Sequence, residues 1–170
     1  MANLNPRVAV SALGFSLVAF VALVGHEDYV GEAMVPTKGD RPTIGLGSTF
    51  WPDGSPVRMG EKITPRRAIE VAAAHVSKEE RAFQNSLPGV KLHLGEYDLY
   101  MDWVYQYGSP AWMKSSMRQS LLAGSYYAAC KDLLKYRFAA GYDCSTPGNR
   151  RCAGVWSRQL DRFAVCYSLQ

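Results

Sequence analysis

Apolar residues form one uninterrupted run near the start of the chain and afterwards recur at helical spacing. Val8 to Val24, VAVSALGFSLVAFVALV, carries no charge; Arg7 precedes it and His26, Glu27 and Asp28 follow it. Residues 26–33 continue with mixed polarity and are expected to be helical. Residues 34–60 are rich in Gly, Pro, Thr and Asp and predict short strands and turns. Thr43 to Thr49 is one strand candidate, and Pro56 to Met59 its return strand. Trp51-Pro52-Asp53-Gly54 is the turn between them, because Pro fixes φ and Gly permits φ > 0. Thr64-Pro65 marks a helix start, with a hydroxyl at the cap and Pro in the first turn. That helix should reach about Asn85, with Ile69, Ala72, Ala73, Val76 and Phe83 on one face. Pro88-Gly89 breaks it. Gly95 to Tyr107 predicts another helix, which Gly108 stops. Ser109-Pro110 opens a further helix ending near Gly124, Ser125 to Ala139 reads as the next, and a basic amphipathic helix closes the chain between Asn149 and Cys166. The sum is an α+β fold, mostly helical with a small β-hairpin element near the N-terminus.

The opening run is seventeen residues long, at the lower edge of what spans a bilayer, where about 17–25 apolar residues are needed. Arg before it and acids after it predict an N-terminus inside and a body outside. Four readings stand side by side: a cleaved signal peptide, a permanent anchor, a buried core helix, and a weak anchor that can leave the membrane. Ala22 to Gly25 is a poor cleavage site. Ala9, Ser11, Ala12, Gly14, Ser16, Ala19 and Ala22 dilute the hydrophobicity, which favours the weak anchor. Residues 1–25 are therefore expected to be a hydrophobic segment that can pack into the fold, and residues 26–170 the folded body.

At 170 residues, 48% hydrophobic and 12% aromatic, the chain has enough apolar material for one core and is not of the disordered class. A net charge of +4 suits a polyanionic partner without choosing among them. Cys130, Cys144, Cys152 and Cys166 lie in the last third. There is no CxxC pair, and His26, His75 and His93 lie far upstream, so no metal site is expected. An exported body favours disulfides. Of the three possible connectivities, Cys130–Cys166 with Cys144–Cys152 is preferred: the first two end or face helices, and the second two flank one loop.

The informative stretch is Gly25 to Thr49, GHEDYVGEAMVPTKGDRPTIGLGST. A carboxylate follows the apolar segment, then a Gly/Pro/Asp loop, then Thr43-Ile44-Gly45-Leu46-Gly47. Here the chain resembles the phage lysozyme family, in which a helix ending in Glu precedes a β-hairpin bearing an Asp and a Thr followed by Ile-Gly-x-Gly. The likeness returns through Gly60 to Ala68, Glu96 to Gly108 and Leu121 to Leu134. It implies a muramidase that cuts peptidoglycan glycan strands by inversion, with Glu27 as general acid, a second carboxylate activating water, and Thr43 holding that water. Burial beside an apolar segment would suit Glu27 to this role by raising its pKa.

The second carboxylate departs from the family pattern. The span from Glu27 to Thr43 is one residue longer, so the Asp position falls on Pro36 or Thr37. Asp40 is chosen for the role; Asp28 and Glu32 are weaker candidates, and Thr37 is a secondary candidate as a water-holding hydroxyl. Trp51, Tyr105, Trp112 and Tyr126 are candidates for stacking on sugar rings, with Gln106 beside Tyr105. Arg150, Arg151, Arg158 and Arg162 are expected to give the last helix a basic, solvated face. Without a second carboxylate the scaffold would suit a lytic transglycosylase, and with a degenerate site a non-enzymatic wall-binding protein. No cofactor and no nucleic-acid partner is expected, and the protein should be a monomer. The expected life history is insertion in the host inner membrane through residues 8–24, then release into the periplasm. No cysteine lies in the hydrophobic segment, which excludes a disulfide switch between it and the body.

Overall fold

The structure, a computed structural model, describes residues 6–25, 28–37 and 39–170. Its contacts divide the chain into two units: residues 16–81, and residues 6–15 together with 82–170. One division falls inside the opening apolar run and the other inside the long helix that begins at Pro65.

In residues 16–81, helix α1 (Leu17–Gly25) starts at Ser16, whose Oγ accepts from Ala19 N–H at 3.1 Å. Leu23 is buried. Phe20 and Val24 pack on a cluster of Ala33, Ile44, Leu46, Val57, Ile63, Ala68, Val71 and Ala72. Leu17, Val18 and Val21 face outward, exposed. At about 1.5 Å per residue, α1 is roughly 14 Å long, less than half of a hydrocarbon core of about 30 Å. A short 3-10 turn at Val10–Ala12 and non-helical residues 13–16 interrupt the apolar run before α1. Among the described residues, no helix is long and apolar enough to cross a membrane.

The helix expected over 26–33 is not formed where the structure describes it. Strand β2 (Val30–Met34) stands there, antiparallel to β3 (Thr43–Gly45). Ala33 N–H bonds Glu61 O at 2.9 Å, and Ile63 N–H bonds Gly31 O at 3.0 Å. The segment is thus paired on both edges, and nonlocal pairing overrides its local pattern. Met34 pairs with Thr43 and Val30 with Gly45, so β2 carries two more residues than β3 between those pairs, a bulge. The Trp51–Gly54 turn forms as expected, with Gly54 N–H bonded to Trp51 O and Trp51 N–H to Ser55 O. The return strand shrinks to a single bridge between Phe50 and Pro56.

Helix α2 (Pro65–Ser86) is capped by Thr64, whose Oγ1 accepts from Arg67 N–H at 3.3 Å. Its buried side carries Ala68, Val71, Ala72, Val76 and Phe83; Ile69 and Ala73, expected on that face, are exposed. Gly45 explains part of the Gly-x-Gly motif. Its φ of 67° is in the left-handed region, and a Cβ there would lie 3.0 Å from Ala68 Cβ. Only glycine satisfies both demands.

In the other unit, β1 (Val8–Ala9) pairs antiparallel with β4 (Lys91–Leu92), and Val10 N–H bonds Val90 O at 3.0 Å. Helices α3 (Leu94–Tyr107), α4 (Ser109–Met113), α5 (Ser116–Leu122), α6 (Tyr126–Asp132) and α7 (Ala153–Ser168) follow. Gly108, with φ 82°, ends α3. The single helix expected over 109–124 is two, because Ser115 breaks the turn and caps α5 through Arg118 N–H. The helix expected to run to Ala139 ends by Lys135. Beyond it, β5 (Phe138–Ala139) and β6 (Tyr142–Asp143) form a hairpin. Ala140 and Gly141 both have positive φ, the condition for a tight two-residue hairpin turn. Phe83, Tyr97, Tyr100, Trp103 and Trp112 form an aromatic core with ring centroids 4.9–6.1 Å apart. Disulfides join Cys130 to Cys166, tying α6 to α7, and Cys144 to Cys152, closing the loop before α7.

Candidate functional site

The β2–β3 hairpin carries three of the four residues expected to do chemistry. Thr43 opens β3 opposite Met34, and its Oγ1 donates to Met34 O at 3.4 Å. The loop between the strands turns tightly where Asp40 N–H bonds Thr37 O at 2.9 Å. Gly39, with φ 97°, makes that turn possible. Thr37 and Asp40 are therefore brought together on one exposed turn, and Thr43 follows at the base of the strand. Asp40 has no side-chain hydrogen bond or ion pair among the described residues, so its carboxylate is available to a ligand or water. Glu27, the expected acid, lies outside the described residues, as do His26 and Lys38.

The weaker carboxylate candidates separate. Glu32 lies on β2 and pairs with Lys62 at 3.5 Å, both exposed. Asp28 is exposed just before β2. Next to Asp40, the Arg41 guanidinium sits over the Phe50 ring at 5.2 Å and ties the end of the loop to the next turn. That turn is braced in its own right. The Trp51 indole N–H donates to Glu61 Oε2 at 3.0 Å, and the same oxygen accepts from Arg58 N–H at 2.9 Å. Those two donors, Arg58 N–H foremost, hold the Glu61 carboxyl below its ordinary pKa. Neither Arg41 nor Glu61 stood out in the sequence; an acid or a base in a turn carries no periodic signal.

The expected sugar-stacking residues fare unequally. Trp51 keeps a partly exposed ring. Trp112 is fully buried, with its indole N–H on Ser86 Oγ at 2.8 Å, and belongs to the aromatic core. Tyr126 lies under the Arg7 guanidinium at 4.0 Å. Gln106 accepts from Arg162 at 2.8 Å through its Oε1. The basic face expected on the last helix is corrected too. Arg162 is 4% exposed, and both it and Arg158 converge on Asp102 of α3 at 2.5 and 2.6 Å. Asp102 on the facing helix draws both arginines inward. Arg150 and Arg151 stay exposed ahead of α7. Among the described residues no three His, Cys, Asp or Glu gather as metal ligands would.

Comparison with known proteins places this hairpin in context. The family model described as phage lysozyme matches residues 26–158. The endolysin of Salmonella phage P22 is 31% identical over 111 residues, 65% of this chain and 75% of that protein. Among solved structures, the endolysin from Escherichia coli O157:H7 phage FAHEc1 superposes with a TM-score of 0.74, covering 91% of this chain and 94% of its own, at 24% identity. A variant of P22 lysozyme superposes at 0.70, covering 91% and 99%, at 25% identity. The chain belongs to the phage lysozyme family.

Proposed function

We propose that the protein is an endolysin that hydrolyses the β-1,4 bond between N-acetylmuramic acid and N-acetylglucosamine in peptidoglycan. The observation that carries this reading is the β2–β3 hairpin, which sets the Thr37–Asp40 turn and Thr43 on one short element inside the matched span that begins at residue 26. Glu27 is the general acid and protonates the leaving glycosidic oxygen. The Asp40 carboxylate takes a proton from water, which attacks the anomeric carbon from the opposite face of the ring, so the product is inverted. Thr43 holds that water, with Thr37 as a second hydroxyl within the same turn. Asp40, with no side-chain partner among the described residues, suits a base that must meet water rather than a protein partner.

The protein acts as a monomer in the periplasm, for lysis of the host. Before that, residues 8–24 hold it at the inner membrane with the body outside. Release is favoured because the segment has places to go in the fold: β1 on β4, Val10 and Leu23 in the interior. Burying each of those two side chains contributes about 1.5–3 kcal/mol.

Turnover of purified peptidoglycan by the wild type, Glu27→Gln and Asp40→Asn, with products identified by mass spectrometry, tests the assignment. Reducing-end muropeptides are expected from the wild type, with rates lower by about 10²–10⁴ in each variant, the usual weight of one acid or base. Undiminished activity in Asp40→Asn would move the second role off that residue. Anhydro products would make the protein a lytic transglycosylase, the reading that the non-acidic Pro36 and Thr37 would favour.

A further inference from the structure

A groove of about 640 Å³ lies between the turn at Phe50–Gly54 and one side of α2. Its described lining residues include none of Thr37, Asp40 or Thr43. Trp51 forms one wall, and its ring is held from behind by the core cluster and at its edge by Glu61. Ala74 and Gly54, both small, leave the floor open. On the helix side stand Lys78 and Arg81, three residues apart and so on the same face. Both are exposed, and neither has a carboxylate partner among the described residues. His75 reaches across to the turn and donates through Nε2 to Phe50 O at 2.8 Å, and among the described residues Nδ1 has no partner. Elsewhere on α2, Arg66 and Arg67 are both spent on Glu70. On α2, therefore, the arginines and lysines with no carboxylate partner among the described residues are those at the groove.

A preorganised aromatic plate, open space beside it and two cations against one carboxylate, Glu79, in the lining fit a ligand with a flat apolar face and carboxylates beyond it. A saccharide bearing an acidic peptide has that form. We infer that the groove is a second binding site for the wall polymer, seating a muramyl unit on Trp51 with the carboxylates of its peptide stem toward Lys78 and Arg81. The inference rests on the peptidoglycan reading above and adds to it a contact outside the reacting residues. Its role is retention: the enzyme stays on an insoluble substrate between cuts, while short soluble fragments, held by the catalytic residues alone, gain nothing from it.

The test compares the wild type, Lys78→Ala/Arg81→Ala, and a charge-matched control, Lys91→Ala/Lys114→Ala, both of whose residues are exposed. Two measurements are made on each: co-sedimentation with intact sacculi at 4 °C at two salt concentrations, and turnover of short soluble glycan–peptide oligomers. Losing two exposed ion pairs should weaken sacculus binding about tenfold at low salt, less at high salt. Oligomer turnover should be unchanged, and the control should bind as the wild type does. Unchanged sacculus binding in the groove variant overturns the inference, as does an equal loss in the control, which would mean a general charge effect. A parallel fall in oligomer turnover also overturns it, since the groove would then belong to the catalytic site. A wild type that binds sacculi but cuts neither substrate would refute the lysozyme reading and leave the groove standing.

Discussion

Arg7 lies at the border of the apolar run, and the structure gives it a role that its position alone does not suggest. Its Nε and Nη2 donate to the two carboxylate oxygens of Glu96 at 3.0 and 2.9 Å, and Nη2 also donates to Gln170 Oε1 at 2.8 Å. The guanidinium lies 4.0 Å from the centroid of the Tyr126 ring. Glu96 is 1% exposed and Arg7 26%. Arg7→Met keeps most of the stem and removes the only cation paired with Glu96 among the described residues. Gln170 Nε2 and His93 N–H still donate to the carboxylate, but both donors are neutral. Breaking a buried pair from one side costs about 3–5 kcal/mol. Because Arg7 keeps some contact with solvent, the lower end applies, about 3 kcal/mol. In a chain of this size each kcal/mol moves the melting temperature by about 2–4 °C, so a fall of roughly 6–12 °C is expected. Differential scanning calorimetry of the purified protein gives the number directly. Glu96→Gln in the same chain should restore part of the loss, because the buried charge is gone. A melting temperature within 2 °C of the wild type for Arg7→Met, or no recovery in the double variant, would refute the reasoning (a threshold set by the weakest coupling expected of a partly buried pair). Under the proposed release from the membrane, an anchored chain would hold Arg7 on the far side from Glu96, and residues 82–170 would gain that counter-charge only on release.

The Asp102 cluster and the disulfides allow two further measurements. Burial pushes the Asp102 carboxyl up, but Arg162 and Arg158 outweigh it and hold its pKa below the ordinary value. A depressed carboxyl contributes stability that is present above the unfolded pKa of about 3.9 and is lost as pH falls through the folded one. Urea unfolding should therefore show Asp102→Asn less stable at neutral pH by about 3–5 kcal/mol, with the difference shrinking below about pH 4. A constant difference down to pH 2 would mean that the charge of Asp102 does not matter. For the disulfides, loop-closure entropy scales with the sequence separations of 36 and 8. It gives about 4 kcal/mol for Cys130–Cys166 and about 2.5 kcal/mol for Cys144–Cys152. Paired Cys→Ala variants compared by urea unfolding should keep that order, and a reversed order would show that native contacts rather than chain entropy dominate.

What could be read from the sequence and what could not divide along the range of the interactions involved. The Thr64 cap and Pro65 at the start of α2, and Gly108 at the end of α3, act within one helical turn, and both signals stand where the structure has them. Strand β2 could not be read, because Val30 to Met34 gains its conformation from Glu61 and Ile63, some thirty residues on. The inward turn of Arg158 and Arg162 was hidden for the same reason: a basic stripe on an amphipathic helix looks solvated until the facing helix presents Asp102, fifty-six and sixty residues away. Trp112 and Trp51 look alike in sequence, yet one is enclosed by Phe83, Tyr100 and Trp103 and the other stands at a groove. The β2–β3 hairpin is the intermediate case. Its turn is local, closed by the bond from Asp40 N–H to Thr37 O with Gly39 at positive φ. Its register is not local: the two extra residues of β2 between the Val30 and Met34 pairs decide how far the Thr37–Asp40 turn extends from the base at Thr43. A carboxylate displaced along the loop relative to the family spacing is tolerable only if register and turn together return it to reach. That makes the strand pairing of β2, more than the identity of the residue at position 37, the physical variable on which the assignment of Asp40 depends.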